Sequence, residues 1–223
     1  WELLGCVQAA QNDVSNAHRS FDQATQIDPT RTSARFRLAE SFYRQNNDAS
    51  AEFHLRTLLN QEPEHVGAIG LWGSLCYRQN RAVEAVQSFH KATMLQPHVA
   101  SHWSNWGAAL QLQGDVHNAL KTLDQAVALK PDECSAWTNR AAILQDLQRF
   151  DEAERCYETI LALKPGEAAA RHNRALLWLL QGEIKKGLVE HEFRSTHIEL
   201  LHSGRLQQPW NGERLTRQRL VIR

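Results

Sequence analysis

The sequence has 223 residues, and its 25 Lys and Arg balance 25 Asp and Glu, so the formal net charge at pH 7 is zero. This balance creates no long-range field toward nucleic acid or an anionic membrane. A hydrophobic fraction of 42% is too high for a disordered chain. The longest apolar run covers residues 175–180, whereas a membrane-spanning helix needs about 20 apolar residues. We therefore expect a folded protein that binds no nucleic acid and does not insert into a membrane.

The cysteines and histidines follow no metal or redox motif. Cys6, Cys76, Cys134 and Cys156 contain no CxxC pair, and their spacings fit no zinc site. One interpretation is a redox or metal site; the other, which we favour, is four reduced and partly buried thiols in a cytoplasmic protein. The 11 histidines are scattered, and no glycine-rich phosphate loop or Ser-His-Asp constellation is present. We expect no metal, no cofactor and no catalytic residues.

Prolines mark a repeat along most of the chain. They recur every 34 residues, at Pro29, Pro63, Pro97, Pro131 and Pro165. Proline lacks a backbone N–H and disfavours helix at the preceding residue, so each one predicts the end of a helix. A period of this length is typical of stacked helical hairpins. The predicted repeats are 1–31, 32–65, 66–99, 100–133, 134–167 and 168–194, and 195–223 is predicted to be a linker and the start of a following domain.

Two columns of small residues run through these repeats. With the proline numbered as position 32, position 8 is Gly or Ala in every repeat, and so is position 20. Small side chains let two helices approach closely where they cross. Position 24 carries the larger side chains that would fill the remaining space. In the first five repeats these are Phe21, Leu55, Phe89, Leu123 and Tyr157.

Position 15 predicts the turn between the first helix (A) and the second helix (B) of each repeat. It holds Asn12, Asn46, Asn80, Gly114, Gln148 and Gly182. Gly and Asn tolerate the left-handed conformation that ends many helices. Gln148 is the exception, and we expect its turn to be built differently. The chain also begins at Trp1, which is position 4 of its repeat, so we expect a piece of a longer protein.

The repeat resembles the tetratricopeptide (TPR) consensus. The fourth repeat carries the pattern most fully, as Trp103, Gly107, Gly114, Asp115, Ala119, Ala126, Leu129 and Pro131. The resemblance implies an all-α fold, a right-handed α-solenoid of stacked helix-turn-helix repeats. The last repeat departs from the pattern, because Gly187 replaces alanine and no proline closes it.

The tail resembles a bacterial family in which a TPR array leads into a GT-B-type glycosyltransferase-like domain. The residues that carry this resemblance are Gly187, Glu190, Glu192, Phe193, Arg194, Pro209, Trp210, Gly212, Leu215 and residues 220–222. The resemblance implies that the array is the substrate- or partner-docking arm of such a protein. The nucleotide-sugar domain itself is absent from the sequence, so no catalytic residue is transferred.

Asparagines mark a candidate binding surface. In TPR proteins, position 6 of helix A faces the concave groove, and here it is Asn105, Asn139 and Asn173 in three successive repeats. A carboxamide both donates and accepts hydrogen bonds, so such a ladder could pair with the main chain of an extended peptide. It is similar to the asparagine ladder in the TPR arm of O-linked N-acetylglucosamine transferase. The alternative is that each asparagine pairs locally within its own repeat.

Basic and aromatic residues mark the other half of the predicted groove. These residues are Arg37, Tyr43, Arg44, Tyr77 and Arg78. They could clamp a carboxylate or a phosphate. The alternative is ordinary surface charge, with tyrosines packed partly into the next repeat.

The sequence therefore predicts a scaffold that binds a protein or peptide in its groove. The first hypothesis is the docking arm of a glycosyltransferase-like protein. The second is an adaptor without an attached enzyme, either free-standing or self-assembling, and the self-assembling form would be a homo-oligomer. Catalysis within this chain and RNA reading by helical repeats are disfavoured, the latter by the zero net charge and the 34-residue period.

Overall fold

The computed structural model describes residues 1–11 and 13–191, and these residues form helices and short turns without any strand. The chain divides into two compact units, Trp1–Pro131 and Asp132–Arg223. In the first unit the helices are α1 (Glu2–Ala10), α2 (Val14–Ile27), α3 (Thr32–Arg44), α4 (Asp48–Gln61), α5 (Val66–Arg78), α6 (Ala82–Leu95), α7 (Ala100–Gln113) and α8 (Val116–Leu129). In the second unit they are α9 (Cys134–Asp146), α10 (Phe150–Leu163) and α11 (Ala168–Leu180), followed by a helical segment at 184–191. The predicted all-α solenoid of helical hairpins is confirmed for these residues. The predicted linker and domain start at 195–223 lie outside them.

Glycines at position 8 allow the two helices of a repeat to touch. A Cβ atom on Gly5 would lie 2.7 Å from the ring of Phe21, and one on Gly73 would lie 2.8 Å from the ring of Phe89. These distances are well inside van der Waals contact, so a larger side chain would force the helices apart. The columns of small residues predicted from the sequence therefore mark the helix crossings.

Larger side chains fill the interior beside these crossings. In the first unit, Leu38, Leu55, Leu58 and Leu75 are fully buried. In the second unit the buried side chains include Tyr157, whose hydroxyl donates to Gln145 Oε1 at 2.9 Å. Burial raises the pKa of Tyr157 to about 12. Each unit thus has an apolar core between its A and B helices.

The carbonyl groups of the repeat prolines are capped by side chains of the next helix, which the sequence did not reveal. Position 4 of the following repeat supplies the donor. The pairs are Arg35–Pro29 (2.8 Å), Trp103–Pro97 (2.7 Å) and Arg171–Pro165 (2.8 Å). Ile69 occupies position 4 of the third repeat and has no donor, and there Lys91 Nζ donates to the Pro63 oxygen at 2.7 Å instead. The carbonyl at each of these four turns therefore has a partner.

The turns between helices A and B use left-handed residues at position 15. The φ angle is 57° at Asn46, 61° at Asn80, 89° at Gly114 and 79° at Gly182. Gln148 has φ 58°, so the expectation that its turn is built differently was wrong. The repeat packing holds this glutamine in a conformation that it does not favour. Asn12, the position-15 residue of the first repeat, lies outside the described residues.

Gln148→Gly is expected to raise the free energy of unfolding by about 0.5 to 1 kcal/mol, because glycine adopts a left-handed conformation without a Cβ clash. Gln148 is exposed, so little packing is lost. The matched control is Glu158→Gly, at an exposed position inside α10, where glycine should lower stability by about 1 kcal/mol. Urea denaturation of the 223-residue chain measures both. A loss of stability in Gln148→Gly would contradict the strained turn.

Candidate peptide-binding surface

The A helices of the first unit share one side of the stack. Helix α3 contacts α5, and α5 contacts α7, whereas the B helices of this unit make no comparable contacts with each other. Helices that touch their counterparts in the next repeat lie on the inner side of a curved stack. The surface of α3, α5 and α7 is therefore the concave side of the first unit.

The three predicted asparagines lie on A helices. Asn105 is exposed on α7, and its side chain makes no hydrogen bond with any described residue. Asn139 on α9 and Asn173 on α11 are half-buried. The free carboxamide of Asn105 can donate two hydrogen bonds and accept two on the concave side of its unit.

Arg78 joins the second repeat to the third. Its guanidinium carbon lies 3.8 Å from the centroid of the Tyr43 ring, a stacked cation–π arrangement. Its Nη1 donates to the Tyr43 carbonyl oxygen at 3.0 Å and to Asn46 Oδ1 at 3.1 Å, and its Nη2 pairs with the Asp48 carboxylate. The structure thus brings Tyr43 and Arg78 together, but the hydrogen-bond donors of this arginine are used by partners within the protein.

Arg44 and Arg37 are held differently. Arg44 Nη2 contacts Glu40 Oε1 at 2.8 Å, and Arg37 Nη1 contacts Glu40 Oε2 at 3.3 Å. The Arg44 side chain is 70% exposed, whereas that of Arg78 is only 29% exposed. One carboxylate between two guanidinium groups leaves a net positive charge on this part of α3. The remaining predicted residue, Tyr77, is exposed on α5.

A cavity of about 490 Å³ opens beside Arg44. We call it the α1–α3 pocket, and it is lined by Cys6, Ala9, Val14, Ala17, Phe21, Arg37, Glu40, Ser41, Arg44 and Gln45. Helices α1 and α2 supply a mostly apolar floor, and α3 supplies the polar and charged rim. The pocket was not predicted from the sequence, although position 12 gives a signal for it: Ala9 stands where the next two repeats have Tyr43 and Tyr77.

Two further arginines are engaged around Trp72. The guanidinium carbons of Arg56 and Arg81 lie 5.4 Å and 5.2 Å from its ring. Arg81 Nε donates to Glu84 Oε1 at 2.7 Å, and this hydrogen bond holds the pKa of Glu84 below its ordinary value. These contacts join α4, α5 and α6, and they pair the arginine side chains of this cluster within the protein.

The histidines of the described residues do not assemble a metal site. His98 and His102 are four residues apart, but His98 precedes helix α7. Burial lowers the pKa of His102, as it does that of His54, whose pKa the nearby Arg35 lowers further. No group of three or more His, Cys, Asp or Glu side chains is placed to hold a metal within residues 1–11 and 13–191. All four cysteines are free thiols.

Membrane insertion finds no support in the helices of the described part of the chain, since none of them is both long enough and apolar enough to span a bilayer.

Family models of the tetratricopeptide repeat match residues 8–71 and residues 134–167. No curated protein matches the chain. Among solved structures, a thermophilic TPR protein of Thermus thermophilus is 22% identical, with 80% of this chain and 97% of that chain covered and a TM-score of 0.66. The type IV pilus biogenesis factor PilW is 19% identical over 89% of this chain and 90% of its own, with a TM-score of 0.78.

A third similar structure is YrrB, described as a TPR protein with an unusual peptide-binding site. It is 20% identical over 82% of this chain and 93% of its own, with a TM-score of 0.58. At these identities the likeness concerns the fold alone. The two family-model matches identify tetratricopeptide repeats at residues 8–71 and 134–167, and the proline period and the helical hairpins show the same repeat pattern in the segments between and beside them.

Proposed function

We propose that this chain is a protein-interaction scaffold that binds an extended peptide, or an extended segment of a protein, along its A helices. The observation that carries the proposal is the exposed carboxamide of Asn105 on the concave side of the first unit. In the second unit, each of the helices α9 and α11 has an asparagine at the same repeat position, Asn139 and Asn173. An amide group at this position can pair with a peptide main chain whatever the peptide's side chains are. The similar fold of YrrB, a TPR protein with a peptide-binding site, is consistent with this use.

The side chains of the described residues favour binding over catalysis. Arg78 and Arg81 of the third repeat are paired within the protein, Tyr157 has a raised pKa because it is buried, and the pKa of the buried Cys76 thiol is raised to about 11. None of these groups has the lowered pKa that would activate it as a nucleophile at neutral pH. We therefore propose no enzymatic activity for this chain.

Asn105→Ala, Asn139→Ala and Asn173→Ala combined are expected to abolish binding of peptides selected from a random display library on the immobilised chain. The helices should remain, because Asn105 is exposed and the other two are only half-buried. Fluorescence polarisation measures affinity, and circular dichroism checks folding. A matched control removes two polar side chains from B helices, Asn60→Ala and Gln125→Ala, both exposed. Unchanged affinity in the folded triple variant would assign the asparagines a structural role.

A backbone-modified peptide makes this test sharper. Methylation of the peptide's main-chain nitrogens removes its donors but keeps its side chains, so binding through carboxamides should be lost. Equal binding of the methylated and unmethylated peptides would show that side chains alone are recognised, and would contradict the asparagine ladder.

We further propose that the scaffold is the docking arm of a glycosyltransferase-like protein. The support is the resemblance carried by Gly187 and the segments that follow it, most of which lie outside the described residues. Gly187 is required locally, because a Cβ there would lie 2.6 Å from Leu179 Cγ and 2.9 Å from the Ala175 carbonyl oxygen. The second candidate is a self-assembling adaptor, favoured by the exposed apolar side chains of α1, Leu3, Leu4 and Val7. Sedimentation velocity separates the two, because the adaptor would be an oligomer and the docking arm a monomer.

A further inference from the structure

The first unit contains three successive junctions between A helices, and they differ at two repeat positions. Each junction pairs the residue at position 12 of one repeat with the residue at position 13 of the next repeat. The pairs in chain order are Ala9 with Arg44, Tyr43 with Arg78, and Tyr77 with Leu112. Only the second junction has both an aromatic ring and an arginine, and there the guanidinium group stacks on the ring. The first junction has the arginine without the ring.

The carboxylate partner is also missing at the first junction. Position 17 is Asp48 in the second repeat, and its carboxylate pairs with Arg78. The corresponding residue of the first repeat is Val14, which lines the α1–α3 pocket together with Ala9 and Arg44. Arg44 therefore lacks the ring and the carboxylate that Arg78 has, and its side chain is 70% exposed, whereas that of Arg78 is 29% exposed. The α1–α3 pocket occupies the place of the absent ring.

We propose that the α1–α3 pocket binds a peptide segment in which an aromatic side chain adjoins a side-chain carboxylate. The ring enters the space beside Ala9 and stacks on the Arg44 guanidinium group, as Tyr43 does on Arg78. The carboxylate pairs with Arg44, as Asp48 does with Arg78. The inference rests on the proposed function as a peptide-binding scaffold, and it adds a specific subsite and the chemistry that this subsite takes.

The lining of the pocket fits this ligand. Phe21 and Val14 give the ring an apolar floor, and the edge of the cavity is formed by α3. Arg37 and Arg44 share the single carboxylate of Glu40, so the rim keeps one uncompensated positive charge. An inorganic anion would meet that charge but leave the apolar floor uncovered, whereas a purely apolar side chain would leave the charge unpaired. An aromatic and acidic pair satisfies both.

The probes are short Gly/Ser peptides, acetylated and amidated, that carry Tyr-Asp, Leu-Asp or Tyr-Asn at the centre. The Tyr-Asp peptide should bind about tenfold more tightly than either of the others, because a cation–π contact or a charge pair contributes about 1 to 2 kcal/mol in a partly enclosed site. Equal affinity for the three peptides would overturn the proposal. A fourth peptide ends in Tyr with a free carboxylate; if it binds more tightly than Tyr-Asp, the side-chain carboxylate is the wrong ligand.

A variant can fill the pocket with the residue types that the protein itself uses around Arg78. Ala9→Tyr combined with Val14→Asp recreates at the first junction the groups that surround Arg78, so it should abolish binding of the Tyr-Asp peptide and raise the denaturation midpoint. Ala10→Tyr, at the exposed neighbouring position on α1, is the matched control and should bind as the unmodified chain does. Undiminished binding by the folded double variant would refute the pocket as the site.

Cys6 gives an independent readout of occupancy. It is exposed and lines the pocket, whereas Cys76 and Cys156 are buried. The Tyr-Asp peptide should slow alkylation of Cys6 by iodoacetamide, located by mass spectrometry, without changing that of Cys134. If the asparagine variant no longer binds the library-selected peptides but the Tyr-Asp peptide does not protect Cys6, only the proposal for the pocket is contradicted. If the asparagine variant binds the library-selected peptides as the unmodified chain does, the proposed function is contradicted.

Discussion

Gly73→Ala is expected to lower the free energy of unfolding by about 1 to 3 kcal/mol, whereas Gly70→Ala in the same helix should raise it by about 0.5 to 1 kcal/mol. A Cβ at Gly73 would lie 2.8 Å from the Phe89 ring, so helices α5 and α6 would have to separate. A Cβ at Gly70 meets no atom within 4 Å, so alanine there only improves helix propensity. Urea denaturation of both variants gives the comparison, since the backbone context is shared.

A second substitution tests the cause of the loss. The second repeat has Ala39 and Leu55 where the third has Gly73 and Phe89, and both of these side chains are fully buried. Phe89→Leu should therefore recover part of the stability lost in Gly73→Ala, although the same substitution in the unmodified chain leaves a cavity and lowers stability. Additive losses in the double variant would show that the glycine is not required by the ring.

Arg78→Met is expected to lower the free energy of unfolding by about 1 to 3 kcal/mol, because hydrogen bonds to charged groups and a stacked ring are lost together. Arg78 reaches Tyr43, Asn46 and Asp48 across the junction of two repeats. Methionine retains most of the apolar length of the side chain, so the change reports on the guanidinium group.

Arg44→Met is the matched control for Arg78→Met. It stands at the same repeat position, but its surface ion pair with Glu40 lies within one helix and its side chain is 70% exposed. Such pairs contribute about 0.3 to 0.5 kcal/mol. Thermal and urea denaturation should separate the two variants clearly. Similar losses for both would mean that Arg44 is also a structural link between repeats, which would weaken its assignment to a ligand.

Most of the helical architecture could be predicted from the sequence because its determinants are local. Pro29 and its counterparts end B helices, Asn46 and its counterparts make the turns, and Gly73 and its counterparts mark the helix crossings. Each signal acts within one hairpin, and a 34-residue period repeats it. Even Gln148 follows its repeat position rather than its own preference, because the packing on both sides of the turn outweighs an unfavourable φ of about 1 kcal/mol.

The candidate site could be predicted only in part. The sequence named the asparagines and the arginine-tyrosine strip, and the structure placed Asn105 on an exposed A-helix surface. The sequence could not distinguish Arg44 from Arg78, because the two share a residue type and a repeat position. Their difference comes from residues in the preceding repeat, Ala9 and Val14 for the one and Tyr43 and Asp48 for the other.

The sequence by itself determined the fold class, the hairpin period and the columns of small residues, since these depend on contacts inside one repeat. Only the tertiary structure decided which arginines are engaged, which proline carbonyl Lys91 caps, and where the α1–α3 pocket opens. The physical reason is that hydrogen bonding and stacking between repeats depend on how side chains from two hairpins meet, and this meeting is not encoded in either hairpin alone.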